Sequence, residues 1–365
     1  MIFIIFLVSF ITQIFFLHFI VGAFARHSHQ RSSSPQVKGV SVIVAIRNEK
    51  NNIVRLLEGL VKQQYEDYEV ILVDDRSSDG TSEMLQYYKN KFSFIKVIRI
   101  ETLESNISPK KNALTYGILA AKKPIILLTD ADCAPISNQW VRSMTTLMKD
   151  NFEVCLGYGK YQKLPGLLNL IIRFETFYTA IQYFSLALKG HPYMGVGRNL
   201  AYTRELFIRN KGFESHFHVL SGDDDLLAKE TFVKSNTTIE YSIESQTLSV
   251  PKTTYRSWLI QKTRHLSAGL QYKWQTKLIL GGLFFTQFAF CITSAVLIAL
   301  DEKIEIVIIG YIFRTLLIIL FYSKISKKLN EDFNWYLFPI LELLYILNHI
   351  LVSLNTIFSK KIKWT

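Results

Sequence analysis

Four long apolar segments, one at the start and three near the end, limit what this chain can become more than any other feature. Residues 1–24 are almost wholly apolar, with Gln13 and His18 as the strongly polar interruptions. Leu278 to Leu300, Ile304 to Tyr322 and Trp335 to Phe358 repeat the pattern. About 20 apolar residues in a helix match the hydrocarbon thickness of a bilayer. A cleaved signal peptide would want a basic start and a shorter apolar core than residues 1–24 have. No Lys or Arg precedes that segment, whereas Arg26, Arg31 and Lys38 follow it. Asp301, Glu302 and Glu305 make the loop between the next two segments net acidic, and Lys324, Lys327 and Lys328 come after them. The positive-inside tendency then predicts a multi-pass protein of the cell (inner) membrane with residues 38–270 in the cytoplasm. Residues 278–322 supply two spans. Residues 335–358 hold Pro339, Glu342, Asn348, His349 and Asn355 and have basic residues on both sides. A full crossing there breaks the charge rule, so a re-entrant or interfacial hairpin is expected, with a transmembrane helix as the alternative. Arg314, near the middle of a span, is costly in lipid and is expected to face protein, water or substrate.

Residues 25–37, with Ser32-Ser33-Ser34-Pro35, read as a linker. The middle of the chain has ordinary globular composition and alternates strand and helix patterns. Val40 to Ile46, Glu69 to Val73, Phe94 to Ile100 and Pro124 to Thr129 read as strands, and residues 151–161 as another. Helical stretches run from about Asn48 to Gln64, from Thr81 to about Lys91 and from Lys110 to Ala121. This order predicts an α/β fold with a doubly wound, mostly parallel sheet. Such sheets bind ligands beyond the carboxyl ends of their strands, which here gathers Ala45 to Glu49, Asp74 to Asp79 and Asp130 to Asp132. Residues 166–189 are apolar and aromatic but contain Arg173, Glu175 and Gln182. They are expected to form a helix lying in the membrane interface, a buried core helix being the alternative. Residues 253–270 are placed in the interface as well.

Ile125-Ile126-Leu127-Leu128-Thr129-Asp130-Ala131-Asp132 carries the chemistry most directly. Residues i and i+2 of an extended segment point the same way, so Asp130 and Asp132 can converge on Mg²⁺ or Mn²⁺ and through it on phosphate oxygens. Two surface acids at a loop start are the alternative. Asp74 and Asp75 end a strand where a carboxylate can accept from a nucleobase imide; a turn capped by Ser77-Ser78-Asp79-Gly80 is the plainer reading. Lys110 is either a solvated face or an ammonium for a diphosphate. Asp223-Asp224-Asp225 suit a helix start, yet three adjacent carboxylates repel and one can have a raised pKa. Gln261 and Arg264 share a helix face, and an arginine there can neutralise a departing diphosphate. The net charge of +12 fits membrane orientation plus phosphate, and no nucleic-acid motif is visible. Cys133, Cys155 and Cys291 have no metal spacing and fit a reducing compartment.

Four of these blocks, in this order and spacing, resemble the family 2 glycosyltransferases of GT-A fold. The resemblance runs from about Val40 to Leu270 and is greatest to the membrane-anchored branch with cellulose, chitin and hyaluronan synthases and ceramide glucosyltransferase. Val40 to Glu49 looks like the family's opening strand, with Ala45 where the family usually has Pro. Val73 to Thr81 is similar to its nucleotide-binding turn, Lys110 to Leu114 to its phosphate-side lysine motif, and Thr129 to Asp132 to its metal motif. The resemblance implies donor binding by Ala45, Asn48, Glu49, Asp74, Asp75, Lys110 and Asp130. It implies a metal on Asp130 and Asp132, and Asp224 as general base with Asp223 in place of the usual Glu. Gln261 and Arg264 would lie by the acceptor and diphosphate, with His265 in place of a Trp. Gly195 to Asn199 resembles a loop near the acceptor.

The function expected is inverting transfer of a sugar from a nucleotide-diphosphate donor, a UDP-sugar first, to a polysaccharide or lipid-linked acceptor at the membrane. A catalytically idle nucleotide-sugar-binding scaffold of a synthase complex is the rival. A transporter would need more spans and no cytosolic α/β domain.

Overall fold

A computed structural model describes residues 1–29, 38–103, 107–148 and 151–358. The serines expected in the linker and the lysines after residue 358 lie outside the described residues. Ile2–Phe15 (α1) runs through a π-helical turn, Phe16–Val21, into Gly22–Arg26 (α2), so the first apolar stretch is one helical rod. Three others, Trp274–Ala299 (α11), Ile304–Lys328 (α12) and Trp335–Phe358 (a 3₁₀ turn leading into α13, Phe338–Phe358), are also long and apolar enough to cross a membrane.

Between them lies a seven-stranded sheet in the order β3-β2-β1-β4-β8-β6-β9. The strands are Val40–Ile46 (β1), Tyr68–Asp75 (β2), Ile95–Ile100 (β3), Ile125–Leu128 (β4), Val154–Leu156 (β6), Leu200–Thr203 (β8) and Thr237–Ile239 (β9). The first four are parallel, as the alternating pattern requires, and β8 is antiparallel to β4 and β6. Cys133–Pro135 (β5), Gly159–Tyr161 (β7) and Thr247–Ser249 (β10) make a second sheet ordered β5-β10-β7. The single strand expected over 151–161 is therefore two, in different sheets. The break falls at Gly157, where a Cβ would lie 2.5 Å from the Asn199 side chain.

Strand alternation builds two cores, one on each face of the sheet. Val42, Val44 and Ile46 pack with Ile53, Leu56, Leu57 and Leu60 of Lys50–Val61 (α3) and with Leu85 of Thr81–Lys91 (α4). Ile43 packs the other way, with Ala113, Leu114 and Ile118 of Pro109–Ala120 (α5). A Cβ at Gly117 would sit 2.5 Å from Ile43 Cγ2. Glycine there lets α5 lie close on the sheet. Trp140–Thr145 (α6) covers the first face, and the short helices Arg204–Arg209 (α8) and Asp225–Thr231 (α9) follow β8.

Two membrane expectations need correction. Leu167–Leu188 (α7) does not lie on a surface: residues 172–174, 176–178, 180–181 and 183–187 are all buried, within or beside the core that includes α2 and α12. Its charges do not demand water because they are paired. Arg173 bonds Glu331 at 2.7 Å and also Asp332, and Glu175 meets Lys262 at 3.0 Å. Residues 338–358 form one continuous helix, not a hairpin. Along its length α13 stays beside α7 and Tyr255–Gly269 (α10): Tyr345 packs on Tyr178, Asn348 accepts from the Tyr255 hydroxyl, and Asn355 donates to Thr263. In contrast to α7, α10 is mostly half-buried or exposed.

Arg314 faces protein. Its Nη1 lies 3.0 Å from Glu342 Oε2, and its Nε and Nη2 donate to Gln13 Oε1. The Tyr322 hydroxyl donates to Glu342 Oε1, and Gln13 Nε2 donates to Thr286 and to the Leu283 carbonyl. One polar cluster thus ties α1, α11, α12 and α13, each group answering another where lipid offers no hydrogen bond.

Candidate active site

The carboxyl ends of β1 and β4 and the amino ends of α5 and α9 meet at a cavity of about 520 Å³. Ligand pockets fall in the same size range. Ala45, Glu49, Lys110, Asp130, Asp132, Asp223, Asp224, Gln261 and Arg264 all line it. The chain brings these together from positions more than 200 residues apart.

Leaving β4, the backbone aims Asp130 and Asp132 together. Ligand atoms of Asp130, Asp132 and Cys133 lie within 4.8 Å of one another. The thiol is not a metal donor as it stands. Cys133 Sγ donates to Asp132 Oδ1 and lies 2.9 Å from Ser249 Oγ, and burial pushes its pKa well up. Two hard carboxylate donors remain, the set that suits Mg²⁺ or Mn²⁺ with phosphate or water completing the shell. Burial first, and then the charge of Asp130, raise the Asp132 carboxyl, a repulsion that a divalent ion between them relieves.

Lys110 links the two acid groups. Its Nζ is 2.9 Å from Asp130 Oδ1 and 3.0 Å from Asp223 Oδ2. Burial works against the ammonium, but Asp130, Asp223 and Asp224 together hold its pKa above the ordinary value. The next lysine does something else. Lys111 is buried and donates to the carbonyls of His216 (2.8 Å) and Val219 (3.0 Å), pinning the loop that leads into Asp223.

The three consecutive acids have three different surroundings. Burial would raise Asp223, but Lys110 outweighs it and keeps the carboxyl below the usual range. Asp225 accepts from the Tyr272 hydroxyl at 2.6 Å. Asp224 is half-buried and faces the cavity, while its neighbours are buried. Its Oδ2 accepts from the Gly197 amide at 2.7 Å and its Oδ1 from the Asp225 amide at 2.9 Å, the latter at the start of α9. Burial and the adjacent Asp223 push its pKa up to about 6. A Cβ at Gly197 would stand 3.1 Å from Asp223 Oδ2 and 3.5 Å from Asp224 Oδ2, so the glycine keeps this approach open.

Three residues expected at the donor do not line the cavity. Asn48 has φ 53° and accepts from the Ser78 amide, its own amide donating to Ser77 Oγ. Asp74 accepts from the Ser77 amide, the Ser82 hydroxyl and Arg99. Asn48 ties two loops together, and Asp74 ties its own turn to Ser82 and Arg99. Asp75 is held by Arg76 at 2.8 Å and lies 3.8 Å from Arg47, which does line the cavity.

A family model described as glycosyl transferase family 2 matches residues 41–209. The chain carries a family 2 glycosyltransferase domain. Over 192 residues it is 28% identical to glycosyltransferase AglE of Haloferax volcanii, covering 51% of this chain and 58% of that protein. Over 102 residues it is 32% identical to poly-beta-1,6-N-acetyl-D-glucosamine synthase of Staphylococcus epidermidis, covering 28% and 24%. The chain therefore spans less than two thirds of these relatives' own lengths. A mannosyltransferase of Pyrobaculum calidifontis, solved with GDP-mannose and Mn²⁺, superposes with a TM-score of 0.61 at 16% identity over 99% of both chains. That likeness shows a GT-A-like fold, terminal helices included.

The family 2 match ends before Asp223, so the structure rather than the matched stretch joins Asp224, Gln261 and Arg264 to Asp130. Two details of the wall escaped the sequence reading, though the Gly195 to Asn199 loop itself was expected near the acceptor. Arg198 stacks on Tyr161 at 4.4 Å and reaches toward Ser249, close to Asp132. Nothing local in Gly197-Arg198-Asn199 signals that contact. The other is one face of α13: Leu341, Leu344, Tyr345, Asn348, His349 and Val352. Their helical spacing was legible, but not which element that face would meet.

Proposed function

We propose that this chain is an inverting, metal-assisted glycosyltransferase acting on a nucleotide-diphosphate sugar at the membrane surface. The observation that carries this is Asp224: a half-buried carboxylate held by two backbone amides, in one cavity with the Asp130–Asp132 pair and Lys110. In this reading the nucleoside lies along Ala45, Arg47 and Glu49, with Asp75 setting the position of Arg47. The diphosphate lies by Lys110 and Arg264. Held by Asp130 and Asp132, Mg²⁺ or Mn²⁺ would neutralise diphosphate charge. An acceptor hydroxyl attacks the anomeric carbon opposite the leaving group, its proton passes to Asp224, and the bond from that carbon to the diphosphate oxygen breaks. One displacement with one base inverts the configuration. Lys110 and Arg264 stabilise the charge that appears on the leaving diphosphate.

UDP-sugars are the first donor class to test, the turn at Val73 to Thr81 resembling the nucleotide-binding turn of the family. GDP-mannose is the second, from the complex of the fold neighbour. The charge pattern around the first three spans supports a cytoplasmic side for the domain in this reading. The test is a screen of labelled UDP- and GDP-sugars on membranes carrying the chain, with Mn²⁺ and product analysis. Nucleotide release with one sugar is expected. Binding without release from any donor would overturn the catalytic reading in favour of an idle scaffold.

A further inference from the structure

Arg198 stands half-buried in the cavity wall. Lys110 is closed on by Asp130 and Asp223, and Lys262 by Glu175. Among the described residues the Arg198 guanidinium has no such carboxylate, and it donates one long hydrogen bond, from Nη1 to Ser249 Oγ at 3.4 Å. Strand β10 holds it in place. Ser249 pairs with Cys133 of β5 on one side and with Tyr161 of β7 on the other. The Cys133 thiol meets both Ser249 and Asp132, and the guanidinium is centred 4.4 Å over the Tyr161 ring. Gly197, the residue before it, donates its amide to Asp224. Arg198 is thus tied through Ser249 and Cys133 to the metal pair, and through its neighbour to the base. The stack and the one hydroxyl fix the planar fork and leave N–H donors over. The charges of Asp132 and Asp130 reach it, and its own charge reaches Asp132.

A fixed cation beside two carboxylates acts with opposite sign on the two things expected to bind there. It opposes a bare divalent ion, which must share Asp130 and Asp132 with it, and it attracts a diphosphate. Resting on the transferase reading above, we propose that Arg198 is a donor-binding residue that exchanges one electrostatic partner for another. Without donor it offsets Asp130 and Asp132. Once a metal ion takes those carboxylates, the freed fork takes a phosphate oxygen of the nucleoside diphosphate. The site therefore holds a bare ion weakly, and holds the ion and nucleotide together tightly. Lys110 and Arg264 still serve the leaving diphosphate, and Arg198 adds a cation on the side of Asp132.

The test uses the full chain in detergent and reads two affinities. Mn²⁺ alone is followed by loss of its free electron paramagnetic resonance signal, and UDP and GDP at saturating Mn²⁺ by calorimetry. Arg198→Met keeps an apolar stem against Tyr161 and removes the charge. It is expected to bind Mn²⁺ alone about threefold or more tighter, and the nucleotide about tenfold more weakly. Lost packing would weaken both, so the opposite signs separate the two roles. Arg198→Lys, which keeps the charge, should return both affinities most of the way to wild type. Arg209→Met removes a cation from an exposed side chain that does not line the cavity, and should change neither. Should Arg198→Met lose thermal stability, Arg198→Gln takes its place with the same two shifts expected. Mn²⁺ affinity that is unchanged or lower in the neutral variant, unchanged nucleotide affinity there, or a lysine variant that behaves like the methionine one, would overturn the role of Arg198 alone. Wild-type protein that binds neither UDP nor GDP with Mn²⁺ would overturn the donor reading above, and this one with it.

Discussion

Two of the buried groups of charge in this molecule differ in balance. Around Lys110 there are more carboxylates than cations. Asp130 and Asp223 share one ammonium, Asp132 and Asp224 have raised pKa values, and a cavity opens on them. Around Arg314 the ledger is even: one guanidinium, one carboxylate, and amide and hydroxyl groups that satisfy both. A matched cluster holds helices together. An unmatched one beside open space keeps charge that a cation, a phosphate or a proton can answer. Substitution should therefore cost activity in the first and stability in the second.

Asp224→Asn is the sharpest way to break this contrast. Transfer is expected to fall by roughly 10²–10⁴-fold, the usual worth of a general base, with metal-dependent nucleotide binding and thermal stability retained. The wild-type pH profile carries the same information. The base must be ionised, and its carboxyl is raised to about 6. The rate should be flat above that value and drop as pH falls through it, as read from kcat/KM. A profile flat down to pH 5 would count against Asp224.

Arg314→Met should behave oppositely. It leaves Glu342 buried without its cation, which in soluble proteins costs about 3–5 kcal/mol. A lower unfolding temperature in detergent is the readout. The double variant Arg314→Met with Glu342→Leu should recover most of the loss, which a catalytic arginine would not permit. Asp132→Ala is expected to lower metal-dependent turnover by on the order of 10²-fold through lost charge neutralisation and to leave unfolding unchanged. Stronger Mn²⁺ binding in that variant would remove the ion from this site. Smallest is Gly117→Ala, remote from both clusters. Its methyl would meet Ile43 and should cost about 1–3 kcal/mol by overpacking, seen in stability and not in donor KM.

The contrast also separates what was legible along the chain from what was not. Strands β1 to β4 could be read because each is a β-branched or apolar run bounded by helical spacing, and parallel order follows from alternation. Asp130 and Asp132 were legible because period-two geometry is local. The surroundings of Asn48 and Asp74 were not legible, because a carboxylate or amide at a strand end serves a loop as readily as a ligand, and the loop bonds they make depend on partners elsewhere in the chain. Helix α7 misled for a related reason. Arg173 and Glu175 look unburiable until Glu331, Asp332 and Lys262 arrive from far along the chain.

By itself, then, the amino-acid order determined the layered α/β core, the apolar ends and the acid pairs, all set by short-range periodicity and composition. Tertiary structure alone decided which of three neighbouring aspartates stays half-open to the cavity, that Arg314 closes on Glu342, and that α13 walls the site. Those outcomes depend on contacts between residues tens to hundreds of positions apart, where charge, burial and hydrogen bonding act through space and leave no local pattern.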